Sequence, residues 1–203
     1  MLEAPAFGNE GPLAMKAGFD MVMQAWAGHE VKAAGAGTEP RWNRTNLVDL
    51  AAAAIGSIAM LAALLHRERT GAVCTLESPL CNAGIFTLSE LIQHPDGRFE
   101  GVPRLASSLC GYHPAESLYC TQDGWIALAA RGNRALAGLR AALALPQAWP
   151  ADPAQWGEAG ESAIAERLAG MTTADAIALL TPQGIWVERC TDGAEGRIFA
   201  DPA

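Results

Sequence analysis

The sequence reads as an α/β protein. Three observations carry this: segments of helical period recur along the chain, short β-prone runs stand between them, and 50% of the 203 residues are hydrophobic, enough for a sizeable core.

The elements follow in order. PAFGNEGP (5–12) is punctuated by glycine and proline at both ends and is a loop. A helix is expected over 13–27, where Phe19, Met23 and Trp26 recur at helical spacing and Gly28 marks the stop. Residues 33–44 are small, polar and broken by Pro40, which makes them a loop. A long helix then begins near Thr45 or Asn46, either of which can cap it through a side-chain oxygen. It closes on His66-Arg67-Glu68-Arg69, which sets cations against the negative end of the helix dipole, and Gly71 suits the left-handed cap. Its first half, Ala51 to Ala54 with Gly56 and Ser57, carries little bulk and lets a backbone or ligand come close. The run 47–65 is nearly long enough to cross a bilayer, yet it is alanine-rich and holds Asp49, Gly56 and Ser57, so a buried helix is expected.

Beyond it, 72–77 is a short strand and 80–93 a second helix ended by HPDG. SLYCTQDGWIALAA (117–130) reads as a β-hairpin, with glycine of the QDG turn where positive φ is needed. Helices over 133–144, 161–169 and 173–181, the last begun by Thr172 or Thr173, precede a closing strand at 185–190. The stretch 145–160, with three prolines and two tryptophans, is a connector.

Composition narrows the partners. A formal charge of −8 and a pI near 4.9, with no basic patch, argue against nucleic acid or an anionic membrane. Five cysteines (74, 81, 110, 120, 190), odd in number and without a CxxC pair, suit reduced thiols better than a disulfide frame or a zinc site. The N-terminus lacks the basic start and apolar core of a signal peptide, so a cytoplasmic setting is expected. No phosphate loop, dinucleotide fingerprint, GxSxG elbow or HExxH is present. The four histidines (29, 66, 94, 113) have no ligand spacing and read as ordinary surface or loop residues, and no metal is expected. Asp49, an acid in the first turn of the long helix, is explained by the helix dipole unless its surroundings say otherwise.

The order of four motifs does say otherwise. FGNEGP, then AGFDMVMQAWAG, then NLVDL heading a helix that ends LAALLHRERTG, then YCTQDGWIALAA, resembles the family III CoA-transferases, which include formyl-CoA and carnitine CoA-transferases and α-methylacyl-CoA racemase. The family pattern has a loop like FGxxGP, a segment like GYDxxxQAxSG, an aspartate before a helix ending ALxxRxxTG, and a Y-x-x-x-DG-x-I hairpin. The match covers most of 5–130, and beyond it GIWVER (184–189) resembles the family's glycine-led strand.

The resemblance implies a partial Rossmann-like large domain over 1–95 and a smaller α+β domain over 96–203. Ungapped counting from LAALLHRERTG puts Asp49 on the family's nucleophile. The implied reaction moves CoA from an acyl-CoA to a small carboxylic acid through an aspartyl-CoA thioester, with CoA as substrate and no permanently bound cofactor. Residues that bind the CoA are not assigned. Racemase chemistry needs an acid/base pair, and the matching positions hold Phe19 and Gly132, neither of which can transfer a proton. The family's basic turn after the helix reads TGAVC here. Family chains are about twice as long, so the N-terminal half of the large domain and the C-terminal return are expected to be absent. A homodimer, or pairing with a chain that supplies the missing half, is then implied. The competing reading is a truncated, non-catalytic paralogue. Trp26, Trp42, Tyr112 and Trp125 are candidate pocket aromatics.

Overall fold

The computed structural model describes residues 1–101 and 104–191. The chain has a mixed α/β architecture in two compact units, Met1–Ser107 and Ser108–Ala203. The divide falls later than 95/96 because the chain up to Leu105 is still tied to the first unit. Leu105 bridges to Gly35, and the Ala36 amide donates to the Leu105 carbonyl at 2.9 Å. The end of the 96–203 segment, residues 192–203, lies outside the described residues.

In the first unit, β1 (Leu2–Glu3) and β2 (Leu76–Glu77) pair in parallel. The FGNEGP loop is fastened to both. The Asn9 amide donates to Glu77 Oε1 at 2.7 Å and its side chain to Glu3 Oε2 at 2.6 Å. Four helices follow the loop or the strands: α1 (Asp20–Ala27), α2 (His29–Ala33), α3 (Leu47–Thr70) and α4 (Leu80–Phe86).

Helix α1 begins seven residues later than its apolar period suggests, and Gly18 supplies the reason. A Cβ at Gly18 would lie 2.5 Å from Met23 Cε and 2.9 Å from Ala6 Cβ. The chain therefore passes close to the helix it is about to form and enters it from an extended Phe19 (φ −147°, ψ 175°). The strand expected at 72–77 shortens to β2. The helix expected to 93 ends at Phe86, and HPDG turns a small antiparallel hairpin, β3 (Ile92–Gln93) with β4 (Phe99–Glu100). Within that turn the His94 amide donates to Arg98 and the Gly97 amide to His94.

Helix α3 ends as expected, with Gly71 left-handed (φ 73°) and its amide on the Arg67 carbonyl. Two expectations fail. Its N-cap is neither Thr45 nor Asn46: Asn46 is left-handed (φ 49°) with no side-chain cap bond, and the Thr45 hydroxyl donates to Asn43 Oδ1. Nor is the helix buried. Only Val48 and Gly56 are buried, while Leu50, Ile58, Leu61, Leu64 and Leu65 are exposed. By length and mean hydropathy (2.1 over 18 residues) the helix is long and apolar enough to cross a bilayer. The buried core of this unit is correspondingly small, Met23, Val48 and Ala83 at the meeting of α1, α3 and α4.

The second unit is built on an antiparallel sheet in the order β5 (Gly111–His113), β6 (Glu116–Thr121), β7 (Gly124–Ala129), β8 (Trp186–Cys190). Strand alternation sends Tyr119, Ile126 and Leu128 to one face. There they pack with Leu139 of α5 (Gly132–Ala142), Ile164 and Leu168 of α6 (Gly157–Ala169), and Leu180 of α7 (Thr173–Leu180). Trp156 and Leu145 from the 145–160 connector complete this core.

The β6–β7 hairpin has the expected register, Thr121 opposite Gly124, but Gly124 does not take positive φ. The turn is held from outside. Gln122 donates its amide to Met171 and its side chain to Gly170, and Asp123 accepts the Thr173 amide (2.6 Å), the Thr173 hydroxyl (2.8 Å) and Arg189 (3.0 Å). The Thr173 bonds first, and then Arg189, hold the Asp123 carboxyl down at about 2.

Candidate active site

Asp49 stands in the first turn of α3, exposed to solvent, and among the described residues its carboxylate accepts no hydrogen bond. What surrounds its backbone is more unusual. A buried aspartate on another helix, Asp20 at the start of α1, accepts the Val48 amide (2.9 Å) and the Asp49 amide (3.1 Å) on one carboxylate oxygen. The cap of α3 thus comes from a residue 29 positions earlier.

The second oxygen of Asp20 accepts the side-chain N–H of Gln24, one turn along α1. Gln24, fully buried, reaches on to the loop before α3: its Nε2 donates to the Asn43 carbonyl at 2.8 Å and its Oε1 accepts the Asn43 amide at 3.3 Å. Asn43 in turn accepts the Thr45 amide (3.1 Å) and hydroxyl (2.6 Å). The chain entering α3 is therefore pinned at three successive points, which accounts for the left-handed Asn46 immediately before the helix.

Burial raises the Asp49 carboxyl above the usual carboxylate range, and the Asp20 charge raises it further. The site therefore holds a carboxylate that is open to a ligand, less stabilised as an anion than usual, and carried on a helix start whose position is fixed by buried polar bonds.

The aspartate and glutamine of AGFDMVMQAWAG are Asp20 and Gln24, two residues the sequence reading quoted without giving them a role. A signal was available, because two polar residues four apart on an otherwise apolar helix face form a pair. Their target, the amides of Val48 and Asp49, is a tertiary contact that no local pattern records.

The remaining candidates disperse. Phe19 is the exposed N-terminal neighbour of Asp20, and Gly132 opens α5 with φ +82°. His29 departs from its expected surface setting: it is buried, with Nε2 against the Gly84 carbonyl (2.9 Å) and the Thr87 hydroxyl (3.0 Å), and it joins α2 to α4. Trp26 packs edge-on to Phe7, and Trp42 is exposed. In the second unit Tyr112 and Trp125 line separate hollows, of about 580 and 350 Å³. In the first unit a 260 Å³ groove lies along Met60, Leu64 and Arg67 of α3, roughly 16 Å or more along the helix from Asp49. No cluster of His, Cys, Asp and Glu suited to a metal occurs among the described residues, and the five cysteines are free thiols.

The family described as CoA-transferase family III matches residues 1–202. The chain belongs to that family. Among solved structures, a CAIB/BAIF family protein from Brucella suis shares 22% identity with a TM-score of 0.77, over 99% of this chain and 54% of that one. Rv3272 from Mycobacterium tuberculosis, in an orthorhombic form, shares 22% identity with a TM-score of 0.71, again over 99% and 54%. Another structure of that protein, described as hypothetical, gives 20% identity, a TM-score of 0.67, and coverage of 99% and 56%. At these identities the likeness is one of fold, and the chain spans about half the length of these relatives. No curated protein matches it. Within family III, the α/β architecture is the expected one, and NLVDL with its helix lies in the described part of the first unit.

Proposed function

We propose that this chain carries the nucleophile of a CoA-transferase that moves CoA from an acyl-CoA to a carboxylic acid, with Asp49 forming the aspartyl-CoA thioester. The observation that carries the reading is the arrangement at the head of α3. Among the described residues the solvent-facing Asp49 carboxylate accepts no hydrogen bond, and two first-turn amides beside it, those of Val48 and Asp49, are taken by Asp20. Membership of family III supplies the reaction class.

The chemistry balances in four steps. An Asp49 oxygen attacks the thioester carbonyl carbon; a C–O bond forms, the C–S bond breaks, and CoA leaves as thiolate from a mixed anhydride. The thiolate attacks the aspartyl carbonyl, the anhydride C–O bond breaks, and the donor acid departs as carboxylate. The acceptor carboxylate then attacks the aspartyl-CoA thioester, expelling the thiolate and forming a second anhydride. Attack of the thiolate on the acceptor's carbonyl yields the new acyl-CoA and returns Asp49 to its ionised form. One difficult exchange becomes several covalent steps of lower barrier. A carboxylate whose anion is less stabilised is the better nucleophile once ionised.

The test is trapping. On incubation of the chain with acetyl-CoA and longer straight-chain acyl-CoA thioesters, CoA is expected on the peptide that contains Asp49. Hydroxylamine is expected to release the CoA as free thiol and leave a hydroxamate on Asp49, and Asp49→Ala to give neither adduct nor turnover. An unmodified peptide in the wild-type protein, or an equal adduct in Asp49→Ala, overturns the reading.

A further inference from the structure

The Asp20 carboxylate is costly to bury. It is 5% exposed, on a helix face whose neighbours Met23 and Val48 are fully buried. Three donors satisfy it: the amides of Val48 and Asp49 and the side chain of Gln24. A serine or asparagine at position 46 would cap α3 with no buried charge, and Asn46 is present yet does not cap. The charge at this position is therefore doing something that a neutral cap does not.

We infer that Asp20 is a positioning residue for Asp49: its buried carboxylate occupies the two helix-terminal amides nearest Asp49 and keeps the Asp49 carboxylate off its own helix end, open and electron-rich for attack.

Two fates are open to Asp49. At a helix start with free amides, a first-turn carboxylate folds back as a capping acceptor, and the bonds and dipole that stabilise the anion make it a poorer nucleophile. Here the Val48 and Asp49 amides are already bonded, and the group bonded to them carries a negative charge of its own. The direction of the Asp49 shift, upward from burial and from Asp20, agrees with the second fate.

The other charged groups around α3 leave Asp20 as the one that acts. Among the described residues, the elements packed on α3 bring few charges: α4 has no ionisable residue but Cys81, α1 carries only Asp20, β2 carries Glu77, whose carboxylate accepts the Asn9 amide, and β1, whose Leu2 lies against Gly56, carries Glu3, whose carboxylate accepts the Asn9 side chain. Arg41 and Arg44 lie in the loop entering α3, and among the described residues neither forms an ion pair with Asp20 or Asp49.

The inference rests on the proposed role of Asp49, and its test is read separately from that role. The carboxyl carbon of Asp49 is followed by NMR through an acid titration of the full chain, assigned with Asp49→Asn. In Asp20→Asn, which keeps an acceptor oxygen and removes the charge, the Asp49 midpoint is expected to move to lower pH. Asp20→Glu, which restores the charge, is expected to recover much of the shift. If Asp20→Asn loses its far-UV circular dichroism, Asp20→Ser is read in its place, since serine keeps a capping oxygen without charge. A merely structural cap would leave the midpoint of a folded variant where it was, and an unmoved or raised midpoint overturns the inference. The same proteins are incubated with acetyl-CoA. A midpoint that moves with no adduct in any of them refutes the nucleophile and leaves the coupling; an adduct with an unmoved midpoint refutes the coupling and leaves the nucleophile.

Discussion

At the scale of single residues, Asp49 and Asp20 divide two tasks that one aspartate at a helix start usually combines. Asp20 caps, and Asp49 is left with a free carboxylate. This arrangement should cost stability. Burial and the Asp20 charge raise the Asp49 carboxyl in the folded chain above its unfolded value near 3.8. A raised acid favours folding most when protonated, so its contribution is complete below the unfolded value and is lost as pH rises through the folded one. Asp49→Asn, permanently neutral, should therefore unfold at a higher temperature than wild type at pH 7, with the gap closing as the pH is lowered toward 4. Thermal melts across that range check it, and equal melting temperatures at pH 7 would contradict it. The position of Asp49 was legible in the sequence because it is set by counting along one helix. The partner was not, because its bonds join residues 28 and 29 apart across a tertiary contact.

At the scale of elements, the hairpin motif Y-x-x-x-DG-x-I proves to be architectural. Tyr119 is buried with its hydroxyl on the Pro114 carbonyl (2.6 Å), burial pushes that hydroxyl well above its usual range, and Ile126 fills the core. Asp123 joins the β6–β7 turn to the start of α7 and to β8. Its carboxyl is held at about 2 against an unfolded value of 3.8, chiefly by the Thr173 amide and hydroxyl and then by Arg189. For a lowered acid the contribution is present above the unfolded value and is lost as pH falls through the folded one. Asp123→Asn should thus flatten the loss of stability between about pH 4 and pH 2. Urea midpoints along that interval read the effect, and parallel curves for wild type and variant would contradict it.

Local patterns served best where an element is self-contained. The 24-residue span of α3, its glycine stop and the α7 cap at Thr172 all match the sequence reading, since helix period and capping chemistry act within a few residues. They failed where a neighbour decides. Close approach at Gly18 delays α1, HPDG turns a hairpin after an early helix stop, and the QDG turn needs no left-handed glycine because residues 170–173 hold it from outside.

At the scale of the molecule, apolar burial is uneven. Among the described residues the second unit closes fifteen buried hydrophobic residues into one core, whereas the first closes three and leaves the flank of α3 uncovered. Composition could not reveal this, because an alanine- and leucine-rich helix reads as buried whether or not the chain supplies its cover. The chain matches family III along nearly its whole length while spanning about half of its structural relatives. Turnover by this protein is therefore the property that tests the account as a whole: donor, acceptor and Asp49 must meet in one site.

Oxygen tracing measures that meeting directly. If the acceptor acid carries heavy oxygen in its carboxylate, the second anhydride contains one labelled bridging oxygen, and attack of the thiolate on the acceptor's carbonyl leaves that atom on the aspartate. With acetyl-CoA as donor and a labelled carboxylate as acceptor, mass spectrometry of the digested protein is expected to find heavy oxygen on the peptide containing Asp49, and on no other. Turnover that leaves this peptide unlabelled, or a label that appears equally in Asp49→Asn, would contradict the assignment of Asp49 as the nucleophile.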